Sequence, residues 1–368
     1  MKKKNSNILC LSWCDADDVM NYGQILQGCA LMYCIRKITN SEITYVSYLP
    51  RGIKGQIMFL LKHYNPFSGH LKAYLRSKTS IRQFVKRYNI NFYQVRTFSE
   101  LDKKANNVDV MICGSDQIWH PQNYDKGYFL DFGSEKIKRI SYAASLPKTK
   151  IESQFSCEFE KISKSINRID IISVREKKSK NFISQLSNKE VKAVVDPTYL
   201  VPKEVWKDIV EKIVTPNKYI FVYIPNGMDE NMFNYVNEIK FKLGINKVLI
   251  MMTRGTNYFS SSDSLKFVSL GQFLYLIKNA ECVITTSYHA IIFSTIYQKK
   301  FWCYDVPNNT RGEDVRLDDL LENLGLESRK LENFKKWNAS ESINYELVEN
   351  KLSSMIRESW SFLKSTIS

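Results

Sequence analysis

The histidine best placed for chemistry is His289, one of only four histidines in a chain of 368 residues. It follows the apolar stretch CVITTS at residues 282–287, which predicts a buried strand, and it begins a predicted helix over 289–298. An imidazole can donate or accept a proton near neutral pH, because its ordinary pKa is about 6.5. The position indicates a general acid or a phosphate ligand. A histidine that only caps the helix or packs in the core is the alternative.

Three other short motifs also follow predicted strands. Asn21-Tyr22-Gly23 lies between the first strand and its helix, and Gly114-Ser115-Asp116-Gln117 follows VDVMIC. Arg175 belongs to the Ser-Val-Arg-Glu motif at 173–176, which is predicted to end a strand and begin a helix. Ligands of open α/β sheets bind beyond the carboxyl ends of the strands. Each motif alone is also explained by a turn, a helix cap or a surface ion pair. Their coincidence favours a binding site.

We therefore predict two groups of site residues. His289 and Arg175 are the catalytic candidates. The substrate-binding candidates are Asn21, Tyr22, Gly23, Gly114, Ser115, Asp116, Gln117, Ser287, Arg254 and Arg311, the last two because they lie in plausible loops. A second histidine, His120, follows GSDQIW, and we interpret it as structural.

The elements that must position these residues alternate between strands and helices. The pattern begins with NILCLSW and a helix over 22–38, and it restarts at KYIFVYIP (218–225), with LKFVSL (265–270) among the later strands. Such alternation is typical of parallel sheets covered on both faces. We predict two Rossmann-like domains facing a cleft, residues 1–200 and 201–345. The boundary is placed near Pro197 and Pro202, and a C-terminal helix follows over 346–368.

The charge is unevenly distributed along the chain. The formal net charge is +15, and residues 43–99 contain ten basic residues and no acidic one. We treat residues 51–96 as a basic helical insertion in the N-terminal domain. An anionic membrane surface, with Phe59, Phe67 and Tyr74 inserted at the interface, is one interpretation. A phosphate-bearing substrate is another, and a solvated or internally paired face is the alternative. No recognition motif accompanies the charge, so we expect no nucleic-acid partner.

Several classes of protein are not expected from the composition. No apolar run reaches the roughly 18 residues of a membrane span. The basic, then apolar start resembles a signal peptide, but Asp15, Asp17 and Asp18 interrupt it. The eight scattered cysteines form no CxxC pair and no metal-like cluster, which indicates reduced thiols and no metal. We expect a cytoplasmic protein, at the inner face of the cell membrane if the basic segment binds lipid.

Taken together, the motifs resemble those of the polysaccharide pyruvyl transferase family. The stretches that carry the resemblance are NYGQILQGCAL, GSDQIW, YFLDF, ISYAAS, SVRE, VVDPTYLV, FLYLIKNAECVITTSYHAIIFSTIYQKKF and VRLDDLLENLGLESR. They extend from about residue 21 to residue 329. One departure is Ala290, where the family commonly has glycine after the histidine. The basic insertion has no counterpart in the family's common pattern.

The resemblance implies a fold and an activity. The fold would be similar to the GT-B glycosyltransferases, and the activity would transfer pyruvate from phosphoenolpyruvate to a sugar, forming a ketal in cell-surface polysaccharide biosynthesis. His289 would be the general acid or a phosphate ligand, and Arg175 would bind the carboxylate or phosphate of the donor. Phosphoenolpyruvate would be a co-substrate with no other cofactor. The sugar acceptor would be linked to a lipid diphosphate, a nucleotide or a polymer. A GT-B glycosyltransferase using a nucleotide sugar, and a non-catalytic glycan- or lipid-binding protein, are the alternatives.

Overall fold

The computed structural model describes residues 6–14, 21–50, 55, 69–225, 227–252, 264–265, 268–304, 315–336 and 342–367. Within them the chain forms two parallel α/β sheets, as the alternating pattern predicts.

The N-terminal sheet contains the first seven strands. Its order is β3-β2-β1-β4-β5, and isolated bridges from Ile140 to Ile171 and from Ala144 to Val174 join β5 to the pair β6-β7. All pairings are parallel. The strands are β1 (Ile8–Ser12), β2 (Ile43–Tyr48), β3 (Asn91–Val95), β4 (Val110–Cys113), β5 (Lys138–Ser141), β6 (Ile172–Val174) and β7 (Val191–Ala193).

The C-terminal sheet has the order β11-β10-β8-β9, again with parallel pairing. Its strands are β8 (Ile220–Ile224), β9 (Val248–Met252), β10 (Cys282–Thr285) and β11 (Lys300–Cys303). β8 and β10 are buried along their whole length, because helices cover both faces of a parallel sheet.

Helices connect the strands. They are α1 (Tyr22–Ile38), α2 (Gly69–Arg87), α3 (Phe98–Lys104), α4 (Ser156–Ile166), α5 (Lys180–Ser187), α6 (Lys203–Lys207), α7 (Glu230–Leu243), α8 (Leu270–Asn279), α9 (Tyr288–Ile296), α10 (Arg316–Leu324) and α11 (Tyr345–Ile367). All except α3, α5 and α6 lie near predicted helical segments. In the described residues, no helix is both long enough and apolar enough to span a bilayer.

Two predictions of secondary structure are wrong. LKFVSL is not a continuous strand: Ser264 makes one bridge to Ile250, and α8 already begins at Leu270, where Ser269 and Gln272 form a capping box. The Ser-Val-Arg-Glu motif ends β6 but does not begin a helix, since α5 starts only at Lys180. In addition, β3 and α3 are not predicted from the sequence. The strand β3 follows the basic helical region, and α3 follows β3.

Helix α1 is shared by both halves of the molecule. Fourteen of its seventeen residues, Tyr22 to Ile35, are buried. One hydrophobic cluster extends from Ile8 and Ile112 of the N-terminal sheet through α1 to Phe221 and Val283 of the C-terminal sheet. The first turn of α1 therefore lies where the two halves meet.

Helix α11 returns the end of the chain to the N-terminal half. The backbone amide of Val195 donates to Ser359 Oγ at 3.0 Å, and Lys138 Nζ donates to the carbonyl oxygen of Thr366 at 2.7 Å. This helix thus packs against the sheet in which the chain begins.

The basic helix α2 is partly internal. Arg76 pairs with Glu211 at 2.8 Å, and Arg87 pairs with Asp208. Tyr74 is buried in the shared core, so the expectation that it inserts into a membrane is wrong. Phe59 and Phe67 lie outside the described residues.

Candidate active site

A buried cluster of charged side chains lies where the two halves meet. Arg175 follows β6, Asp196 follows β7, and His289 is in the first turn of α9. Asp196 Oδ2 lies 3.2 Å from Arg175 Nη1 and 3.3 Å from His289 Nε2. Asp196 therefore bridges the two residues that the sequence selected from different halves of the chain.

Arg175 is surrounded by three carboxylates. Its Nε donates to Glu176 at 2.9 Å, and its Nη1 lies 3.2 Å from Asp196 and 3.6 Å from Asp116. The face of its guanidinium lies 4.0 Å from the centre of the Tyr288 ring. Burial alone would lower the pKa of Arg175, but Glu176 and the other anionic neighbours raise it above its ordinary value. Arg175 stays charged, and only its Nη2 lacks a hydrogen-bond partner among the described residues.

The ionisation of the neighbouring carboxylates differs. Burial would raise the pKa of Asp196, but His289, Arg175 and Thr198 together hold it well below its ordinary range. Its second oxygen, Oδ1, accepts from Thr198 N at 3.0 Å and from Thr198 Oγ1 at 2.7 Å. Burial raises the pKa of Glu176 in spite of Arg175. Asp196 is therefore the permanent anion of the cluster.

His289 is held between Asp196 and the first turn of α1. Only 6% of the surface of His289 is exposed, so little of this residue is accessible from the cleft. Its Nε2 approaches Asp196 but makes no well-aligned hydrogen bond. A Cβ atom built on Gly23 would lie 2.2 Å from His289 Nδ1. The imidazole fits against α1 only because residue 23 is a glycine.

The N-termini of two helices meet around His289. Asn21 Oδ1 caps α1 by accepting from Gln24 N at 3.4 Å, and Ser287 Oγ caps α9 by accepting from Ala290 N at 3.5 Å. The first turns of both helices contain no acidic residue. Helix N-termini carry a partial positive charge and favour anions.

The Gly-Ser-Asp-Gln turn supports the cluster from the N-terminal sheet. Ser115 Oγ donates to Asp196 Oδ2 at 3.2 Å, and Ser115 N donates to Gln27 Oε1 at 3.1 Å. Gly114 has φ +129°, and a Cβ there would lie 1.9 Å from the carbonyl oxygen of Tyr142, so only glycine fits. The turn thereby carries Asp116 to Arg175.

Most of the predicted residues are brought together, with different roles. Tyr22 packs in the core instead of facing a ligand: its ring stacks on Phe273 at 4.6 Å, and its hydroxyl donates to the carbonyl oxygen of Val268. Gln117 is buried beside the turn. His120 is buried, and its Nδ1 accepts from Gln122 N at the start of a short 3-10 helix. Arg254 and Arg311 lie outside the described residues.

The sequence prediction missed Asp196, Glu176 and Tyr288. Asp196-Pro197 was interpreted only as the end of a strand pattern near a domain boundary, although it also belongs to the VVDPTYLV stretch. Its position after a strand, like those of Arg175 and Asp116, was the signal that could have identified it. In the described residues, no group of three or more His, Cys, Asp or Glu side chains is arranged to hold a metal ion. All eight cysteines lie in the described residues, and none of them is in a disulfide.

Solved structures share the fold at low sequence identity. A protein assigned as a UDP-N-acetylglucosamine 2-epimerase from Listeria monocytogenes aligns over 99% of this chain and 91% of its own, with a TM-score of 0.51 and 10% identity. The S. aureus MnaA–UDP complex aligns over 99% and 91%, with a TM-score of 0.49 and 10% identity. The wall teichoic acid polymerase TagF aligns over 99% and 89%, with a TM-score of 0.47 and 10% identity. The alignment with the Listeria protein supports the fold alone, a GT-B-like arrangement of two Rossmann-like halves.

The sequence comparison identifies the family. None of the curated proteins matches the chain significantly. The family model described as polysaccharide pyruvyl transferase matches residues 21–308, which include Gly23, Asp116, Arg175, Asp196 and His289. The chain therefore belongs to the polysaccharide pyruvyl transferase family.

Proposed function

We propose that this transferase moves the pyruvyl group of phosphoenolpyruvate to two hydroxyls of a sugar, forming a ketal and releasing phosphate. The observation that carries the proposal is the contact of Asp196 with both Arg175 and His289, next to two helix N-termini without acidic residues. The donor carries a carboxylate and a phosphate, and both groups suit positive helix ends and an arginine.

His289 would supply the proton that starts the reaction. Asp196 Oδ2 lies 3.3 Å from Nε2, which leaves Nδ1, beside Gly23, as the nitrogen that would exchange a proton with substrate. Protonation of the methylene carbon of phosphoenolpyruvate makes its C2 electrophilic. One sugar hydroxyl then attacks C2 and loses its proton.

Departure of phosphate completes the transfer. The C2–O bond to phosphate breaks with its electron pair, and a second sugar hydroxyl attacks C2 and loses its proton. The products are the cyclic ketal and inorganic phosphate. Arg175 Nη2, which has no hydrogen-bond partner among the described residues, would bind the carboxylate or the phosphate, while Nε and Nη1 keep the guanidinium in place.

We also propose that the acceptor belongs to cell-surface polysaccharide and that the protein meets an anionic membrane surface through α2. Arg76 and Arg87 form ion pairs with Glu211 and Asp208 of the same chain. The exposed cations that remain on this helix are Lys72, Arg82 and Lys86. No acidic residue lies on α2 to oppose them. Each cation near an anionic leaflet contributes up to about 1 kcal/mol.

The decisive experiment measures the donor first. Calorimetry compares phosphoenolpyruvate with UDP-sugars and CMP-sugars, and a panel of oligosaccharide acceptors is then incubated with phosphoenolpyruvate. We expect binding of phosphoenolpyruvate, phosphate release and an acceptor that gains the mass of a pyruvyl ketal. Tight binding of a nucleotide sugar without any response to phosphoenolpyruvate supports a glycosyltransferase instead. Binding of a glycan with no turnover of either donor supports a non-catalytic protein.

A further inference from the structure

A cavity of about 290 Å³ lies beside the charged cluster, between β7, α10 and α11. Arg175, Asp196 and Tyr288 contribute to its lining, so it adjoins the candidate active site. The mechanism proposed above uses Arg175 and Asp196 but gives no role to the lysines or the aliphatic side chains of this cavity.

The lining of the cavity has two chemical characters. Its cations come from the loop after β6, from α5 and from β7, and they are Lys177, Lys180 and Lys192. Its larger aliphatic side chains come from α10 and α11, and they are Leu320, Leu324, Leu352 and Met355. A ligand that satisfies both must carry an anionic group and an apolar body.

The acidic side chains in the lining, Asp196, Asp319 and Glu358, are outnumbered by the cations, which are Arg175 and the three lysines. Asp319 accepts from the backbone amides of Lys177 and Lys178 at 3.1 and 2.7 Å, and Asp196 is already bound by Arg175 and Thr198. Glu358 is exposed on α11 and accepts from Ser354. Among the described residues, Lys192 pairs with the exposed Glu190. Neither Lys177 nor Lys180 has a carboxylate within ion-pair distance among the described residues.

We propose that this cavity binds a small amphiphilic anion, a phosphate ester of a short hydrocarbon chain. The phosphate contacts Lys180 and Lys192, and the chain lies against Leu320 and Met355. A volume of 290 Å³ holds roughly ten groups of the size of water, which is about the size of a six-carbon chain with its phosphate. The ligand would also adjoin Arg175, so its binding is coupled to the charged cluster. The proposal stands independently of the reaction assigned to that cluster.

Hexyl phosphate is the probe, with inorganic phosphate and 1-hexanol as its two halves. Isothermal calorimetry on the full-length protein, without phosphoenolpyruvate, measures each Kd. We expect hexyl phosphate to bind at least ten-fold more tightly than either half, and more weakly as salt increases. Equal affinity for hexyl phosphate and inorganic phosphate overturns the proposal, since the apolar side chains would then contribute nothing.

Variants locate the binding. Ala193→Phe fills the cavity from β7 and should abolish the binding of hexyl phosphate. Lys180→Gln should weaken it at least three-fold without changing a core side chain, which keeps the test valid if Ala193→Phe does not fold. Lys164→Gln, an exposed lysine of α4 outside the cavity, is the matched control. Unchanged affinity in Lys180→Gln, or an equal loss in Lys164→Gln, places the ligand elsewhere and refutes the site.

Discussion

Two sets of arginine–carboxylate contacts differ in what surrounds them. In the cluster at Asp196, the Arg175 and Asp196 side chains are both fully buried. On α2, the side chains of Arg76 and Glu211 are 41% and 38% exposed, although their atoms are closer together than those of Arg175 and Asp196. Buried charges depend on their partners because water cannot replace them, whereas exposed charges lose little when a partner is removed. Distance alone therefore does not identify the important pair.

The largest effect is expected from Asp196→Asn. The amide keeps the shape but leaves Arg175 and His289 without their shared anion. We expect the free energy of unfolding to fall by roughly 3–5 kcal/mol and transfer to slow by about 10²–10⁴-fold. Denaturant unfolding and phosphate release measure the two effects. Near-normal values for both would remove Asp196 from the site.

The pH dependence of the free energy of unfolding is a second test of the buried Asp196–Arg175 pair. The pKa of Asp196 is lower in the folded protein than in the unfolded chain, so the folded state binds its proton less readily. The stabilisation is complete above the unfolded value of about 3.9 and is lost as the pH falls through the folded value. Acid unfolding of Asp196→Asn should therefore be less steep than that of the wild type. Identical slopes would contradict the assignment.

Replacing either catalytic candidate, His289 or Arg175, should reduce activity, but the two replacements should differ in their effect on the free energy of unfolding. His289→Ala removes the proton donor, and we expect a loss of about 10²–10⁴-fold in rate. Arg175→Ala also leaves three carboxylates facing one another, so it should both inactivate and destabilise the protein. Arg175→Lys, which keeps the charge but not the three-way geometry, separates these effects. A well-folded His289→Ala variant with normal turnover would show that another group supplies the proton.

Gly23→Ala tests the contact between α1 and His289. The added methyl group would lie 2.2 Å from Nδ1, so the imidazole must shift away from Asp196 or from the substrate. We expect at least a ten-fold loss of kcat, a fall by about 1–3 kcal/mol in stability and an unchanged circular dichroism spectrum. Gly244→Ala, which has no atom within 4 Å of the new methyl group, is the control and should keep its activity.

A smaller effect is expected at the outward face of α2. Replacing Lys72, Arg82 and Lys86 together by Gln should reduce co-sedimentation with anionic vesicles by at least five-fold at low salt. Neutral vesicles and high salt should abolish the difference, since the attraction is screened over about 8–10 Å. Equal and negligible binding of the wild type to both kinds of vesicle would leave α2 as a solvated face.

The smallest effect belongs to Arg87→Gln. This residue pairs with Asp208 at the surface, and both side chains are about half exposed. We expect a loss of less than about 1 kcal/mol in the free energy of unfolding, decreasing with added salt, and no change in transfer. A loss as large as that of Asp196→Asn would erase the contrast between the two regions.

The sequence predicts the elements better than the contacts. Periodicity and turn residues predict the strands other than β3 and the longer helices, and α1 has the predicted bounds. The short helices α3, α5 and α6 are not predicted. The prediction of a strand at LKFVSL is wrong because an apolar run before a capping box has strand-like composition. The short strand β3 is not predicted because three of its five residues are exposed, so it lacks an apolar pattern.

The sequence predicts which residues lie near the candidate site, but not which side chains contact each other there. Several residues selected at the ends of strands lie close together in the structure, because sheet topology brings those ends together. Other contacts depend on how the two halves pack. Examples are the stacking of Tyr22 on Phe273 and the contact of Asp196 with both Arg175 and His289. No local pattern encodes that packing.

Helix α1 also affects how the sequence can change over time. Its buried residues contact the cores of both halves, so a substitution there must be tolerated by two sheets at once. Recombination that exchanges one half for that of a distant homologue would bring a mismatched surface against α1. The two halves are therefore expected to diverge together, as a single inherited unit, even though each is built on its own sheet.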